Sequence, residues 1–209
     1  MAKPSDLRQT TKAGALFVTC FLTIVSSASA GEVNEHCTWI QHYLTPVPDF
    51  PQAGIRFQWY ANLLKDPKAF HSVIQNFANR YRDADLNAVI GLDSRGFIFG
   101  SALAYELEVP FVMIRKSGKL PRAVERVDYS LEYGKASFEI EKESLAPGDK
   151  VVIIDDVLAT GGTARAAKEL VERLGAHVQE AAFLIELPFL QGREKIGVPV
   201  YSLLSIEEK

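Results

Sequence analysis

The stretch Lys150-Val-Val-Ile-Ile-Asp-Asp-Val-Leu-Ala-Thr-Gly-Gly-Thr163 constrains this chain more than any other. Its four apolar residues Val151 to Ile154 suit a strand buried on both faces, as in a parallel sheet. They run directly into two carboxylates, Asp155 and Asp156, at the end of that strand. Ala159 to Thr163 then turns the chain tightly into a helix. Gly161 and Gly162 lack Cβ, so the backbone there can fold closely around an anion. Thr160 and Thr163 add hydroxyl donors, and the unpaired N–H groups of the helix N-terminus point at the same spot. Such a cradle suits a monophosphate, and the carboxylates upstream suit vicinal ribose hydroxyls, which donate hydrogen bonds. The bland use of the same residues is an Asp pair capping a helix and a Gly pair ending a strand. Two competing phosphate motifs, GxxxxGK[ST] and GxGxxG, do not occur in the chain.

The remainder alternates strand and helix. Leu44 to Gly54 carries Pro46, Pro48 and Pro51 and predicts an irregular extended loop. Asp66-Pro67 opens a helix to about Tyr81, with Phe70, Val73, Ile74 and Phe77 on one face. Strands are predicted at 88–92, 109–114, 150–154, 180–185 and 200–203, and helices at 96–107 and 163–174. Lys116 to Lys135, polar and basic, predicts a long exposed excursion with a short strand. The pattern is that of a doubly wound α/β sheet, mostly parallel, with ligands at the carboxyl ends of its strands.

The net charge of −3 argues against general nucleic-acid binding, which requires a basic footprint. Two cysteines, Cys20 and Cys37, cannot build a disulfide framework, and no Cys/His cluster suggests zinc. Residues 13–31 are uncharged, preceded by Lys3, Arg8 and Lys12 and ending with Ala28-Ser-Ala30. That is the pattern of a secretory signal, its apolar core being too short for a membrane span of ~20 residues. A spurious upstream extension is the other reading of residues 1–32.

The segment 151–163 resembles the 5-phosphoribosyl 1-diphosphate (PRPP) binding motif of type I phosphoribosyltransferases. Ala159 distinguishes the branches: the hypoxanthine-guanine branch carries there an aspartate that works on the purine ring nitrogen. Three more stretches resemble the adenine phosphoribosyltransferases. They are Gly91-Leu-Asp-Ser-Arg-Gly-Phe97, the pair Arg115–Pro121 and Ser130–Ala136, and Pro48–Phe57. The likeness runs from about Leu44 to Leu204. It implies one phosphoribosyltransferase domain over 33–209, with a hood at about 44–62 and a mobile loop at about 116–137. The reaction so implied is adenine plus PRPP giving AMP plus diphosphate, in a homodimer, with Mg²⁺ held mainly by the oxygens of PRPP and no protein ligand to the metal.

The resemblance also implies the roles. Phe57 stacks on adenine, the backbone of Arg56 and Gln58 reads its edge, Arg95 lies under it and Leu187 packs against it. Asp93 and Ser94 belong to the diphosphate loop. Arg115, Lys116 and Lys119 place three cations within five residues, suited to the charge that grows on a departing diphosphate. Glu132 handles the proton at N7 of adenine, and Tyr133 closes beside it. Asp155 and Asp156 hold the ribose hydroxyls, and residues 159–163 hold the 5′-phosphate. In one respect the chain departs from the family: a basic residue and an aspartate usually follow the hood phenylalanine, whereas Gln58-Trp59-Tyr60 follow here. Any salt bridge of that aspartate is therefore lost.

Because PRPP and free adenine are cytosolic metabolites, the chemistry outweighs the signal-like pattern and predicts a cytoplasmic protein. Two other functions fit the same motif, a PRPP-sensing regulator and a phosphoribosyltransferase for another purine such as xanthine. Nothing in residues 1–43 resembles the winged helix that a regulator would bring.

Overall fold

In the computed structural model, the strand predicted at Lys150–Ile154 lies inside a seven-stranded sheet. Residues 35–50, 56–131 and 134–207 are described. The 1–32 segment, Pro51 to Ile55 of the hood, Glu132 and Tyr133 lie outside them. The strands are β3 (Ala88–Leu92), β4 (Phe111–Lys116), β5 (Val124–Leu131), β6 (Gly134–Glu141), β7 (Lys150–Leu158), β8 (His177–Glu186) and β9 (Val200–Ser205). Their order is β5-β6-β4-β3-β7-β8-β9. The ladders β4-β3-β7-β8-β9 are parallel, whereas β6 pairs antiparallel with both β4 and β5.

Period-two alternation splits the sheet's apolar residues between two cores. Ile90, Val151 and Ile153 face helix α4 (Gly162–Arg173) and the β5–β6 hairpin. Val89, Val152 and Ile154 face α2 (Pro67–Tyr81) and α3 (Gly96–Leu107). The neighbouring strands β3 and β7 therefore send their following helices, α3 and α4, to opposite faces. Such a switch point opens a crevice at the strands' carboxyl ends. Ladder pairing sharpens it: β3 accompanies β7 only as far as Gly91 opposite Ile154, while β8 continues to Glu186 opposite Leu158.

Helix α2 starts where predicted because Asp66 caps it, accepting from the amides of Lys68 at 2.9 Å and Ala69 at 3.2 Å, with Pro67 at the first position. Val73, Ile74 and Phe77 are buried, and Phe70 is half-buried.

Four predictions need correction. Within the proline-rich stretch, β1 (Thr45–Pro48) pairs antiparallel with β2 (Arg56–Trp59), Val47 opposite Phe57. As a two-stranded ribbon it has only edge strands, where proline is tolerated. Helix α1 (Ala61–Lys65) completes this hood. The stretch 116–123 is largely exposed as predicted, but the strand that follows is not short: β5 runs eight residues, buries Val127 and Tyr129, and pairs with β6, where Phe138 and Ile140 are buried. The strand predicted from Val109 starts at Phe111, because Glu108 caps α3 in the left-handed conformation and the Val109 amide bonds to the Ala104 carbonyl at 3.1 Å. Strand β7 runs on past Ile154 through both aspartates to Leu158. Among the described residues no helix is long and apolar enough to cross a membrane.

Candidate active site

The aspartates of β7 stand where β3 has ended, in the crevice. Asp156 is buried, and two donors converge on its Oδ2: the Tyr60 hydroxyl at 3.0 Å and Arg95 Nε. Asp155 is half-buried and accepts from the Asp156 amide at 2.9 Å. Burial first, and then the adjacent Asp156 charge, push the Asp155 carboxyl well above the ordinary carboxylate range. Tyr129, buried in β5, is raised to about 12, by burial first and then by the charges of Asp155 and Asp93. The hairpin thus sets an uncharged phenol within electrostatic reach of Asp155 and Asp93.

After Leu158 the chain turns through Ala159 and Thr160 into α4. Gly161 takes φ +79° at the helix N-cap, a left-handed conformation that side chains with Cβ rarely adopt. It is also pressed against a second glycine. A Cβ on Gly161 would lie 2.4 Å from the Gly192 carbonyl oxygen, and one on Gly192 would lie 2.2 Å from the Ala159 carbonyl oxygen. The turn bearing Gly192 is held by Arg193, which donates to the Val200 carbonyl at 2.6 Å and to both carboxylate oxygens of Glu186. Glu186 is itself buried and accepts from Ser202 at 2.8 Å. The loop geometry thus depends on a segment some thirty residues away in the chain.

On the other side of the crevice, the Asp93–Ser94 peptide is cis, and Asp93 accepts from Arg115 Nε at 3.2 Å. Arg115 also reaches the Lys119 carbonyl at 3.3 Å, and Lys116 and Lys119 are exposed. Buried Glu139 holds the turn between them, accepting from Ser117 Oγ at 2.5 Å and the Gly118 amide at 2.8 Å. The Ser117 bond is the main cause that keeps this carboxyl below its ordinary range.

Above the crevice, the Arg95 guanidinium lies 5.3 Å from the Phe57 ring centre, within cation–π range. Phe50 approaches Phe57 edge-on at 5.4 Å and Trp59 lies at 6.1 Å. Arg56 is exposed and Gln58 half-buried. Leu187, half-buried at the end of β8, is joined to the strand of the acid pair through its amide bond to the Leu158 carbonyl at 2.9 Å.

A model of the phosphoribosyl transferase domain matches residues 60–208. The adenine phosphoribosyltransferase of Mycoplasma mobile is 51% identical over 165 residues, 79% of this chain and 95% of that protein. The chain belongs to the adenine phosphoribosyltransferase family. Solved members share its fold. The Saccharomyces cerevisiae enzyme, crystallised with an imino-altritol bisphosphate and adenine, gives a TM-score of 0.78 at 41% identity, covering 81% of this chain and 98% of that one. The Giardia lamblia enzyme with 9-deazaadenine gives 0.79 at 36% identity, covering 82% and 98%.

Of the residues singled out from adenine phosphoribosyltransferase motifs, Phe57, Arg95, Asp155 and Asp156 form one connected group, and Arg115 joins Asp93 beside it. Ser94 links Asp93 to Arg95 in the chain, and Ala159 to Thr163 lead from the acid strand into α4. Glu132 and Tyr133 lie outside the described residues, between β5 and β6 in the chain. Tyr60, Tyr129, Glu139 and Gly192 were missed. The alternation of β5 could have revealed Tyr129, whereas the other contacts span 21 to 96 residues and leave no local signal.

A raised Asp155 has a consequence for stability. An acid whose native pKa exceeds its unfolded value of about 3.9 keeps its proton longer in the folded chain, so stability falls as pH climbs from there through the raised value. Asp155→Asn removes that penalty and keeps an acceptor for the Asp156 amide. We expect the melting midpoint at pH 7 to rise by about 2–4 °C, the shift that ~1 kcal/mol produces at this size, with no gain at pH 3. A midpoint that falls at pH 7 would show that Asp155 is not under strain.

Proposed function

We propose that the chain is an adenine phosphoribosyltransferase of purine salvage, converting adenine and PRPP to AMP and diphosphate. The observation that carries this reading is the double contact of Arg95, its Nε on Asp156 and its guanidinium over Phe57. One side chain thereby joins a platform for a flat base to an acceptor pair for ribose hydroxyls, as a reaction at C1′ requires.

In this reading Asp155 and Asp156 take the ribose hydroxyls, and the 159–163 turn takes the 5′-phosphate through the α4 N-terminus. Adenine stacks on Phe57, its edge read by the backbone of Arg56 and Gln58, with Leu187 closing the pocket. N9 of adenine bonds to C1′ as the C1′–O bond breaks and diphosphate leaves with the electron pair, inverting C1′. Glu132 manages the ring proton at N7, with Tyr133 beside it. Arg115, Lys116 and Lys119 meet the growing diphosphate charge with the Asp93–Ser94 loop, stabilising the transition state more than the ground state. Hypoxanthine-type chemistry is disfavoured by Ala159, which has no acid or base to offer at the purine.

Mg²⁺ held by the oxygens of PRPP would neutralise part of its diphosphate charge. The donor set fits that role better than a resident metal: Asp93 and Asp156 already serve Arg115 and Arg95, and among the described residues no three His, Cys, Asp or Glu side chains gather as a cage. A homodimer is supported by α3, which exposes Ile98 and, at 87%, Tyr105 on one face, beside Phe70 of α2. The enzyme works in the cytoplasm, where both substrates occur. The catalytic domain spans 33–209, so deleting residues 1–32 leaves kcat and KM unchanged within about twofold, as steady-state assays of both forms will show. A large loss on truncation would make the segment part of the fold.

PRPP-dependent turnover across adenine, hypoxanthine, guanine and xanthine tests the activity. Adenine alone should give nucleotide at a substantial rate. Preference for xanthine, or PRPP binding without turnover of any base, would replace this reading with one of its alternatives.

A further inference from the structure

Tyr60 sits at the join between hood and sheet. It follows β2 directly, is 2% exposed, and its ring packs against Phe99 of α3 at 5.7 Å and Trp59 at 6.3 Å. Its hydroxyl, 3.0 Å from Asp156 Oδ2, is the hood's buried polar tie to the acid strand, across 96 residues of chain. The same oxygen receives Arg95 Nε, so donors from two elements, the hood and the β3–α3 connection, approach it together. Two donors on one carboxylate oxygen restrict rotation of the group, which a single flexible contact does not. Burial and the neighbouring Asp156 charge, in that order, keep the phenol protonated and able to donate. The Arg95 partner is half-exposed and engaged with Phe57 as well, so the buried Tyr60 hydroxyl is the steadier of the two constraints.

We propose that Tyr60 is a positioning residue for the ribose site: its hydroxyl orients Asp156, and through it the carboxylate pair, toward the ribose hydroxyls. This rests on the assignment of Asp155 and Asp156 to those hydroxyls. The hood then contributes to ribose recognition as well as to base stacking, and its seating on the sheet and the geometry of the acid pair are one structural event.

The test is a cycle of enzyme and ligand changes, read by calorimetry with the full chain. Y60F keeps the ring and removes only the hydroxyl; Tyr60→Met is the substitute if Y60F does not fold. AMP and 2′,3′-dideoxy-AMP, which lacks both ribose hydroxyls, are the two ligands. We expect Y60F to weaken AMP by about tenfold and dideoxy-AMP by less than twofold, the size of a hydrogen bond to a charged group. In an Asp156→Asn background, Y60F should cost AMP almost nothing more. Equal losses for both ligands would overturn the proposal, because Tyr60 would then act through hood packing alone, and an unchanged AMP affinity would overturn it too. If the parent enzyme binds AMP and dideoxy-AMP equally, the carboxylate assignment itself falls and the proposal with it. Failure to bind AMP at all would count against the adenine nucleotide reading.

Discussion

Gly161→Val abolishes useful binding of both PRPP and AMP, by about 10²–10³-fold, in a chain that still folds. Two constraints act at this position. Its φ of +79° costs an ordinary residue roughly 1–2 kcal/mol, and a β-branched one is still less suited. The added Cβ would also stand 2.4 Å from the Gly192 carbonyl oxygen. That obstacle is backbone, so no rotamer change relieves it. Nor can Gly192 retreat easily, since Arg193 ties its turn to Glu186 and Val200. The 159–163 turn must therefore move, taking with it the helix N-terminus proposed to meet the anion. Gly192→Ala approaches the same contact from the other side, with its Cβ 2.2 Å from the Ala159 oxygen, and should weaken phosphate binding in the same direction. Calorimetry with AMP, alongside a thermal melt, reads both variants. Normal AMP affinity in a folded Gly161→Val chain would contradict the assignment of this turn to phosphate.

Glu132→Gln lowers kcat by about 10²–10⁴-fold and leaves PRPP affinity nearly intact. The amide keeps the size and hydrogen-bonding reach of the carboxylate but cannot take up a proton. If Glu132 acts only as the purine's N7 proton passes through the transition state, the loss falls on turnover and spares ground-state binding. In the proposed reading phosphate, ribose and diphosphate are held by other groups, so PRPP has no reason to bind less well. Steady-state kinetics with adenine varied at saturating PRPP, plus direct PRPP titration, separate the two quantities. Near-normal turnover would remove Glu132 from the mechanism, and equal losses in affinity and kcat would recast it as a binding residue.

Legibility followed the range of the interactions. Asp66 and Pro67 announced α2 because capping is local, involving amides two and three residues away. The apolar run of β7 was plain because burial on both faces leaves no polar interruption. Strand β1 was hidden by Pro46 and Pro48, which argue against a central strand but not against an edge ribbon. The β5–β6 hairpin left a trace in the alternation of Val127 and Tyr129, then Phe138 and Ile140, but charged residues on its other face masked it, and the sequence predicts only a short strand there. At the site, residue types with plain chemistry stood out: the acid pair, the paired glycines, and the cations of 115–119. The long-range partners did not. Nothing near Tyr60 points to Asp156, and nothing near Gly161 points to Gly192; topology alone brings them together. For Gly161 the sequence suggested room for an anion, whereas its nearest constraint is another backbone. The sequence 57–60 offered no evident tie between hood and sheet, and the Tyr60 hydroxyl supplies one.

The central claim is that one crevice, between the carboxyl ends of β3 and β7, holds all three parts of the nucleotide. A crystal structure of the chain with AMP tests it most directly. The account predicts the 5′-phosphate within hydrogen-bond distance of the 160–163 amides, the ribose hydroxyls on Asp155 and Asp156, and the adenine ring stacked on Phe57 above Arg95. AMP bound away from the 159–163 turn, or with its ribose pointing away from both aspartates, would contradict it.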